Sequence, residues 1–306
     1  MTRLILTLLM VSFLGACSSN AKESKIVFLY GAKSHRSGDH EFKAGCHLLA
    51  KHLNKQTAAN VKAVVIGGWP KDESVLDDAA AVIIYCDGTK VIKHGWEKMD
   101  ALTKKGVGVM LMHYGVHPDI KDGEKYFKPW IGGYFKNGKS INPFWAAKIT
   151  PLAGHPTAQG VEPIHTIDEF YMNLEYSKRM IPLGLATPTK KNLQRINNLW
   201  TKGGAAAFGT PQALLWGIQR ENGRGAGFTG GHKHSNWALD GYRQIVLNTI
   251  VWVAGVDVPK GGVPTYKVTE DELNENLDDY GKKTNRIKIP DPARLNFKPG
   301  AWREAK

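Results

Sequence analysis

Val107-Gly108-Val109-Met110-Leu111-Met112-His113-Tyr114-Gly115 decides the fold. Its first six residues are small or apolar without alternation, the pattern of a strand buried on both faces of a parallel sheet. The polar His-Tyr-Gly turn stops it. The pattern recurs upstream. Residues 25–31, 61–66 and 80–85 are apolar runs closed by Gly31, by Gly67-Gly68 and by Cys86-Asp87-Gly88. Between them, 39–53 places Phe42, Cys46, Leu49 and Leu53 on one helical face, with Ser37 or Asp39 able to cap it. Residues 92–105 carry Trp96, Met99 and Leu102 at helical spacing and end at Gly106. Strands alternating with helices predict an α/β fold, a parallel sheet with helices on both faces.

Downstream the pattern changes. Residues 116–170 are rich in Gly, Pro and aromatics and read as long loops that build a site or lid. Strand-like runs return near 165–175, 180–186 and 213–219, and a glycine-rich stretch, 224–231, leads into His232-Lys233-His234. Residues 239–253 read as a final apolar helix. Beyond Gly255 the chain is polar and Pro-rich, and Thr269 with Glu272 forms a capping-box pattern. The expected division is one domain over 25–255 and a tail over 256–306 that packs along it. No internal repeat is present.

The N-terminus bears on location. Arg3 precedes an apolar stretch over 4–14, the length of a signal core and too short to span a bilayer. Leu14-Gly15-Ala16-Cys17 resembles the bacterial lipobox. That resemblance implies a signal peptide over 1–16, lipidation of Cys17, a polar tether over 17–24, and an anchored place in the cell envelope, on the outer membrane or periplasmic face. The alternative is a plain secretory signal with an incidental cysteine. No other stretch reaches 18 apolar residues, so the membrane is expected as a partner through the anchor alone.

The charge balance is 41 Lys+Arg against 28 Asp+Glu, formally +13. An exported protein rarely meets nucleic acid, the lysines form no run, and no nucleic-acid-binding motif is present, so nucleic acid is not an expected partner. Three cysteines are too few for a disulfide framework.

In an open α/β sheet, ligands bind beyond the carboxyl ends of the strands. Here those ends carry Ser34-His35, Cys86-Asp87, His113-Tyr114 and the region of His232 and His234. His232 and His234, two apart on an extended segment, would point to one side and could share a metal; they also fit a pair of exposed loop histidines. His35, His40 and Glu41 fit ligands or acid/base groups, while Glu41 equally fits a helix cap. His113, at a sharp turn after a buried strand, suits a general base or a ligand. Asp168 and Glu169 are adjacent, so on a strand at most one faces the site. Cys46 reads as core. Cys86 could be reactive, though no activating histidine is assured. Trp130, Tyr134, Phe135, Phe144 and Trp145 could stack on a sugar or cover the core.

Residues 31–42, Gly-Ala-Lys-Ser-His-Arg-Ser-Gly-Asp-His-Glu-Phe, resemble the opening motif of the ThuA-like, trehalose-utilisation family. Met112-His113-Tyr114-Gly115, Gly132-Gly133-Tyr134-Phe135, His155-Pro156, Asp168-Glu169-Phe170-Tyr171 and Gly230–Trp237 continue the resemblance in the family's order over roughly 25–255. It implies a flavodoxin-like three-layer α/β/α sandwich similar to class I glutamine amidotransferases, with long loop insertions and a C-terminal tail. Those amidotransferases carry a nucleophilic cysteine in a Cys-Tyr-Gly setting. His113 takes that place here, which argues against glutaminase chemistry.

The resemblance further implies sugar catabolism, with 3-keto disaccharides or glycosides as substrates. The expected reaction is metal-assisted proton abstraction, leading to elimination, isomerisation or hydrolysis. The assigned catalytic set is His113, Glu41, Asp168 and Glu169. A divalent metal, Zn, Mn or similar, is assigned to His35, His40, His232 and His234. Substrate contacts are assigned to Ser34, Tyr114, Tyr134, Trp145, Asn236 and Trp237. No nucleotide cofactor is expected. A non-catalytic sugar-binding lipoprotein is the main alternative; a hydrolase using Cys86 or a metal-activated water is another.

Overall fold

The computed structural model describes residues 22–189 and 207–291; the signal segment, Cys17 and most of the tether lie outside them. The strands are β1 (Ser24–Tyr30), β2 (Val61–Gly67), β3 (Ala79–Tyr85), β4 (Gly108–Met112), β5 (Gly133–Tyr134), β6 (Phe144–Pro151), β7 (Ile164–Glu169), β8 (Glu175–Tyr176), β9 (Ile181–Ala186), β10 (Gln212–Gln219) and β11 (Arg224–Phe228). The principal helices are α1 (Phe42–Lys55), α2 (Trp96–Lys104) and α3 (Asp240–Val253), and a short α4 (Glu270–Leu273) lies in the tail.

Nine strands form one sheet in the order β2-β1-β3-β4-β11-β10-β9-β6-β7. The first five are mutually parallel. β10, β9, β6 and β7 then continue antiparallel, each to its neighbour. Alternate residues of β1 feed two cores. Ile26 and Phe28 pack with α1 and α3 on one face, and Val27 and Leu29 with α2 and the Phe127–Trp130 region on the other. The result is the expected three-layer α/β/α sandwich, with a mixed rather than a purely parallel sheet.

Three segments differ from their sequence reading. Residues 144–151, read as loop, are strand β6, and the glycine-rich 224–228 is strand β11 at the centre of the sheet. The strand expected over 165–175 ends at Glu169. Among the described residues, no helix is long and apolar enough to cross a membrane. The tail contributes Val263, Val268, Leu273 and Ile287 to the core beside α1 and α3. Its α4 carries a complete capping box between Thr269 and Glu272.

Candidate metal centre

The parallel half, β2-β1-β3-β4-β11, has the order of a doubly wound sheet, and its carboxyl edge is where such sheets place ligands. Segments after β1, β3, β4 and β11 bring His40, Asp87, His113 and His232 to that edge. β7 is separated from β11 by four antiparallel pairings, so it runs in the same direction and delivers Glu169 to the same edge.

Four side chains converge there. His113 Nε2 lies 2.9 Å from His40 Nε2, which lies 3.1 Å from His232 Nδ1. Glu169 Oε2 is 3.6 Å from His113 Nε2 and 3.5 Å from His232 Nδ1. The three imidazoles are buried and Glu169 is half-buried. Each imidazole has an acceptor at its far nitrogen. His40 Nδ1 faces Asp87 Oδ1 at 2.9 Å, His113 Nδ1 faces the Thr229 carbonyl at 2.8 Å, and His232 Nε2 faces Asp39 Oδ2 at 3.5 Å. These acceptors put a proton on the far nitrogen, which leaves the converging nitrogens of His40 and His113 as lone pairs when the rings are neutral.

Electrostatics keeps two rings neutral. Burial pushes His113 down to about 3, with His40 adding to the effect. Burial also pushes His40 down to about 4 against the pull of Asp87. His232 goes the other way. Burial opposes its charge, but hydrogen bonds to Asp39 and Glu169 outweigh it and hold the ring up to about 9. Asp87 is held at about 2, because bonds from His40 and Ser34 overcome the cost of its burial.

The backbone is bent to make this meeting. His40 has φ +53° and His113 φ +50°, both in the left-handed region that a non-glycine residue adopts at a cost. His113 opens a 3₁₀ turn, His113–Val116, directly after β4. The loop carrying His232 is held by Asp168, whose Oδ2 accepts from the Gly231 amide and Tyr242 Oη, and whose Oδ1 accepts from the Lys233 amide. A Cβ at Gly230 would fall 2.3 Å from Tyr242 Oη, so this glycine makes room for a core side chain, not for a ligand.

The assigned residues separate into those brought together and those turned elsewhere. His40, His113, His232 and Glu169 meet. His113 stands within the converging set, with its other nitrogen facing the Thr229 carbonyl. Of the adjacent carboxylates, Glu169 faces the cluster and Asp168 supports the loop behind it. His35 is exposed and stacks on His40 with ring centroids 3.6 Å apart, and Ser34 Oγ reaches both rings at 2.9 and 3.1 Å. His35, His40 and Asp87 form a second possible grouping, but it needs the His40 nitrogen already bonded to Asp87. Tyr114 is half-buried beside His40.

Several assignments do not fit. His234 starts a 3₁₀ turn, so its ring leaves the extended register expected from the i, i+2 spacing, and its Nε2 bonds the Leu273 carbonyl. Glu41 makes no cap; its two oxygens accept from the amides of Gly38 and Asp278. Trp145 is buried and donates to the Phe170 carbonyl, Tyr134 donates to Glu124, Asn236 donates to the Ile167 carbonyl, and Trp237 packs in the core. Of the aromatic loop residues, Phe144 reaches the cluster, its ring 4.7 Å from that of His232. Cys86 is buried, its thiol pushed up to about 12, and Cys46 is buried core. Asp87 and Tyr171, whose Oη lies 3.5 Å from His113 Nε2, were given no role by the sequence, and Asp39 was read only as a helix cap; the position of Asp87 at the end of β3 is the signal that could have found it.

The family model for ThuA, trehalose utilisation, matches residues 27–253. The chain belongs to the ThuA family. Among solved structures, a ThuA-like protein of Parabacteroides merdae is similar with TM-score 0.55 and 16% identity, over 86% of this chain and 99% of that one. A ThuA-like protein of Bacteroides uniformis gives TM-score 0.54 and 14% identity, over 78% and 94%. Those likenesses support the sandwich fold. Among curated proteins, none matches this chain. ThuA membership attaches the fold to a carbohydrate-related role.

The donor set of this ThuA protein fits a metal ion. Three imidazole nitrogens and one carboxylate oxygen suit Zn, Mn, Fe or Co better than Ca or Mg. Neighbouring donors bonded to such an ion at 2.0–2.2 Å stand roughly 3 Å apart, close to the 2.9–3.6 Å separations here. Outer-shell carboxylates and a carbonyl on the far nitrogens are the usual support of ligating histidines.

Proposed function

We propose that this chain is a metal-dependent enzyme acting on a carbohydrate bearing a keto group, such as a 3-keto disaccharide or glycoside. The observation that carries the reading is the convergence of His40, His113, His232 and Glu169 with an acceptor behind each imidazole. A divalent cation held there would supply Lewis acidity, stabilising the negative charge that develops when the proton beside a carbonyl is removed. Asp87, Asp39 and Thr229 orient the three rings. Asp168 holds the His232 loop. His35, exposed, stacked on His40 and outside the four-residue set, is assigned the proton transfer, with Ser34 orienting its ring.

Residues 1–16 and Cys17 support an envelope lipoprotein as the setting. The alternative of a purely sugar-binding protein keeps only Phe144 of its aromatic loop beside the cluster, because Trp130, Tyr134, Phe135 and Trp145 are buried. The test is incubation of purified protein with 3-keto-trehalose or a 3-keto-glucoside plus Zn²⁺, Mn²⁺ or Co²⁺, followed by NMR. Product should form, and should be lost with chelator and in His40→Ala. Absence of product with every metal sinks the enzymatic reading.

A further inference from the structure

Glu41 follows His40, yet neither of its oxygens faces the cluster. Oε1 accepts from the Gly38 amide at 2.9 Å, and Oε2 accepts from the Asp278 amide at 2.8 Å. One buried carboxylate therefore ties the loop before α1 to a tail residue more than two hundred positions away. Other contacts follow the same seam. The Asn285 amide donates to Ser37 Oγ at 2.9 Å, Lys33 Nζ donates to the Asp279 carbonyl, and the Lys33 ammonium lies 5.0 Å from the Tyr280 ring centroid. A Cβ built at Gly38 would touch Ile287. The tail is itself braced, since the Asn274 amide group bonds both the carbonyl and the amide of Ile287.

The opposite side of the same loop is pinned to the other ligand segment. The His40 amide donates to the His232 carbonyl, and the His234 amide donates to the Gly38 carbonyl. Residues 36–41 are thus held between the His232 loop and the tail. His40, at the centre, keeps a left-handed backbone that an unsupported loop would relax. The family match ends at residue 253, so the tail contacts belong to a part of the chain outside it.

We propose that residues 274–287 of the tail, latched through Glu41, are a positioning element of the metal centre and set its cation affinity by fixing the loop that presents His40. The proposal rests on the reading of the cluster as a cation site. Glu41 is a positioning residue: it touches neither the other converging side chains nor any group between them.

The test uses the full chain and Co²⁺ as probe. Affinity is read by competition with a chromophoric chelator, and hydrogen exchange of the peptide spanning 32–41 is read by mass spectrometry. Glu41→Gln keeps the shape but offers one acceptor where two amides need one each. It should weaken Co²⁺ binding about tenfold or more, the usual effect of losing an outer-shell support, and speed exchange over 32–41. Asn274→Ala touches no ligand and no residue of the loop; it should move both readouts in the same direction. Unchanged affinity and unchanged exchange in both variants overturn the latch. If the wild-type protein binds no Co²⁺, the cation reading fails, and the exchange comparison still decides whether the tail orders the loop. If Glu41→Gln does not fold, Asn274→Ala carries the test.

Discussion

His40 Nε2 and His113 Nε2 lie 2.9 Å apart, and the far nitrogen of each ring already faces an acceptor. With both rings neutral, two lone pairs point at one another. Burial resists charging either ring, so a proton is a poor remedy and a shared cation a good one. His40→Ala and His113→Ala should each reduce Zn²⁺ affinity by more than about 100-fold, beyond the roughly 10–100-fold effect of an outer-shell change. His35→Ala should leave affinity nearly unchanged. Competition titration with a chelator dye separates the three.

Cation binding should release a proton. Without metal, His232 is held up to about 9 and is charged at pH 7. Its Nδ1 must lose a proton to become a ligand. His40 and His113, held at about 4 and 3, are already neutral. Calorimetry in two buffers of different ionisation enthalpy should give close to one proton released at pH 7. Apparent affinity should rise about tenfold per pH unit up to about 9 and level off above it. A pH-independent affinity between 6 and 8 would falsify the assignment of His232.

Asp168 accepts from three backbone amides, those of Glu169, Gly231 and Lys233, and from Tyr242 Oη. An asparagine presents an NH₂ group to some of these donors. Asp168→Asn should cost about 3 kcal/mol or more, measured as a lower urea midpoint. Metal binding should weaken as well, because the His232 loop loses its anchor.

His234→Ala should separate stability from binding. The ring is buried and bonds the Leu273 carbonyl of α4. Its removal should cost about 1–3 kcal/mol while the protein retains its metal stoichiometry. Loss of the ion at unchanged melting temperature would return His234 to the ligand set.

Cys46 and Cys86 should resist alkylation in the native protein. Both are buried, and burial raises both thiols, Cys86 to about 12. Peptide mapping after iodoacetamide treatment should find them labelled only after denaturation. Rapid native labelling of Cys86 would revive a thiol mechanism.

The parallel half of the fold was legible because its strands are buried on both faces and read as unbroken apolar runs. β11 was not, because Gly225 and Gly227 interrupt it. Structure supplies the reason: a Cβ at Gly225 would strike the Trp130 carbonyl, and one at Gly227 the Trp216 ring. Gly225 is demanded by a neighbour distant in sequence, and Gly227 by its cross-strand partner on β10. β6 is preceded by Asn142-Pro143, which reads as a turn, and its pairing partners β7 and β9 follow later in the chain.

Within the site, strand ends pointed to His113 and His232, which the fold brings together, but not to their meeting with His40. The meeting of His40 with His113 depends on left-handed backbone at both residues, which no spacing rule contains. His232 and His234 have the spacing of a shared ligand pair, yet the 3₁₀ turn beginning at His234 sends its ring to α4. Period-two reasoning did work for Asp168 and Glu169, because both lie at the regular end of β7.

β7 has a temporal meaning as well as a spatial one. It is an edge strand, and its Glu169 must meet His40, His113 and His232, groups up to 192 positions apart in the chain. Contacts this remote in sequence form slowly. A nascent or half-folded chain therefore has no complete set of donors to offer. Ion loading would then be the closing event of maturation, and an ion that recognised only the finished molecule would raise its unfolding free energy with the logarithm of free cation concentration.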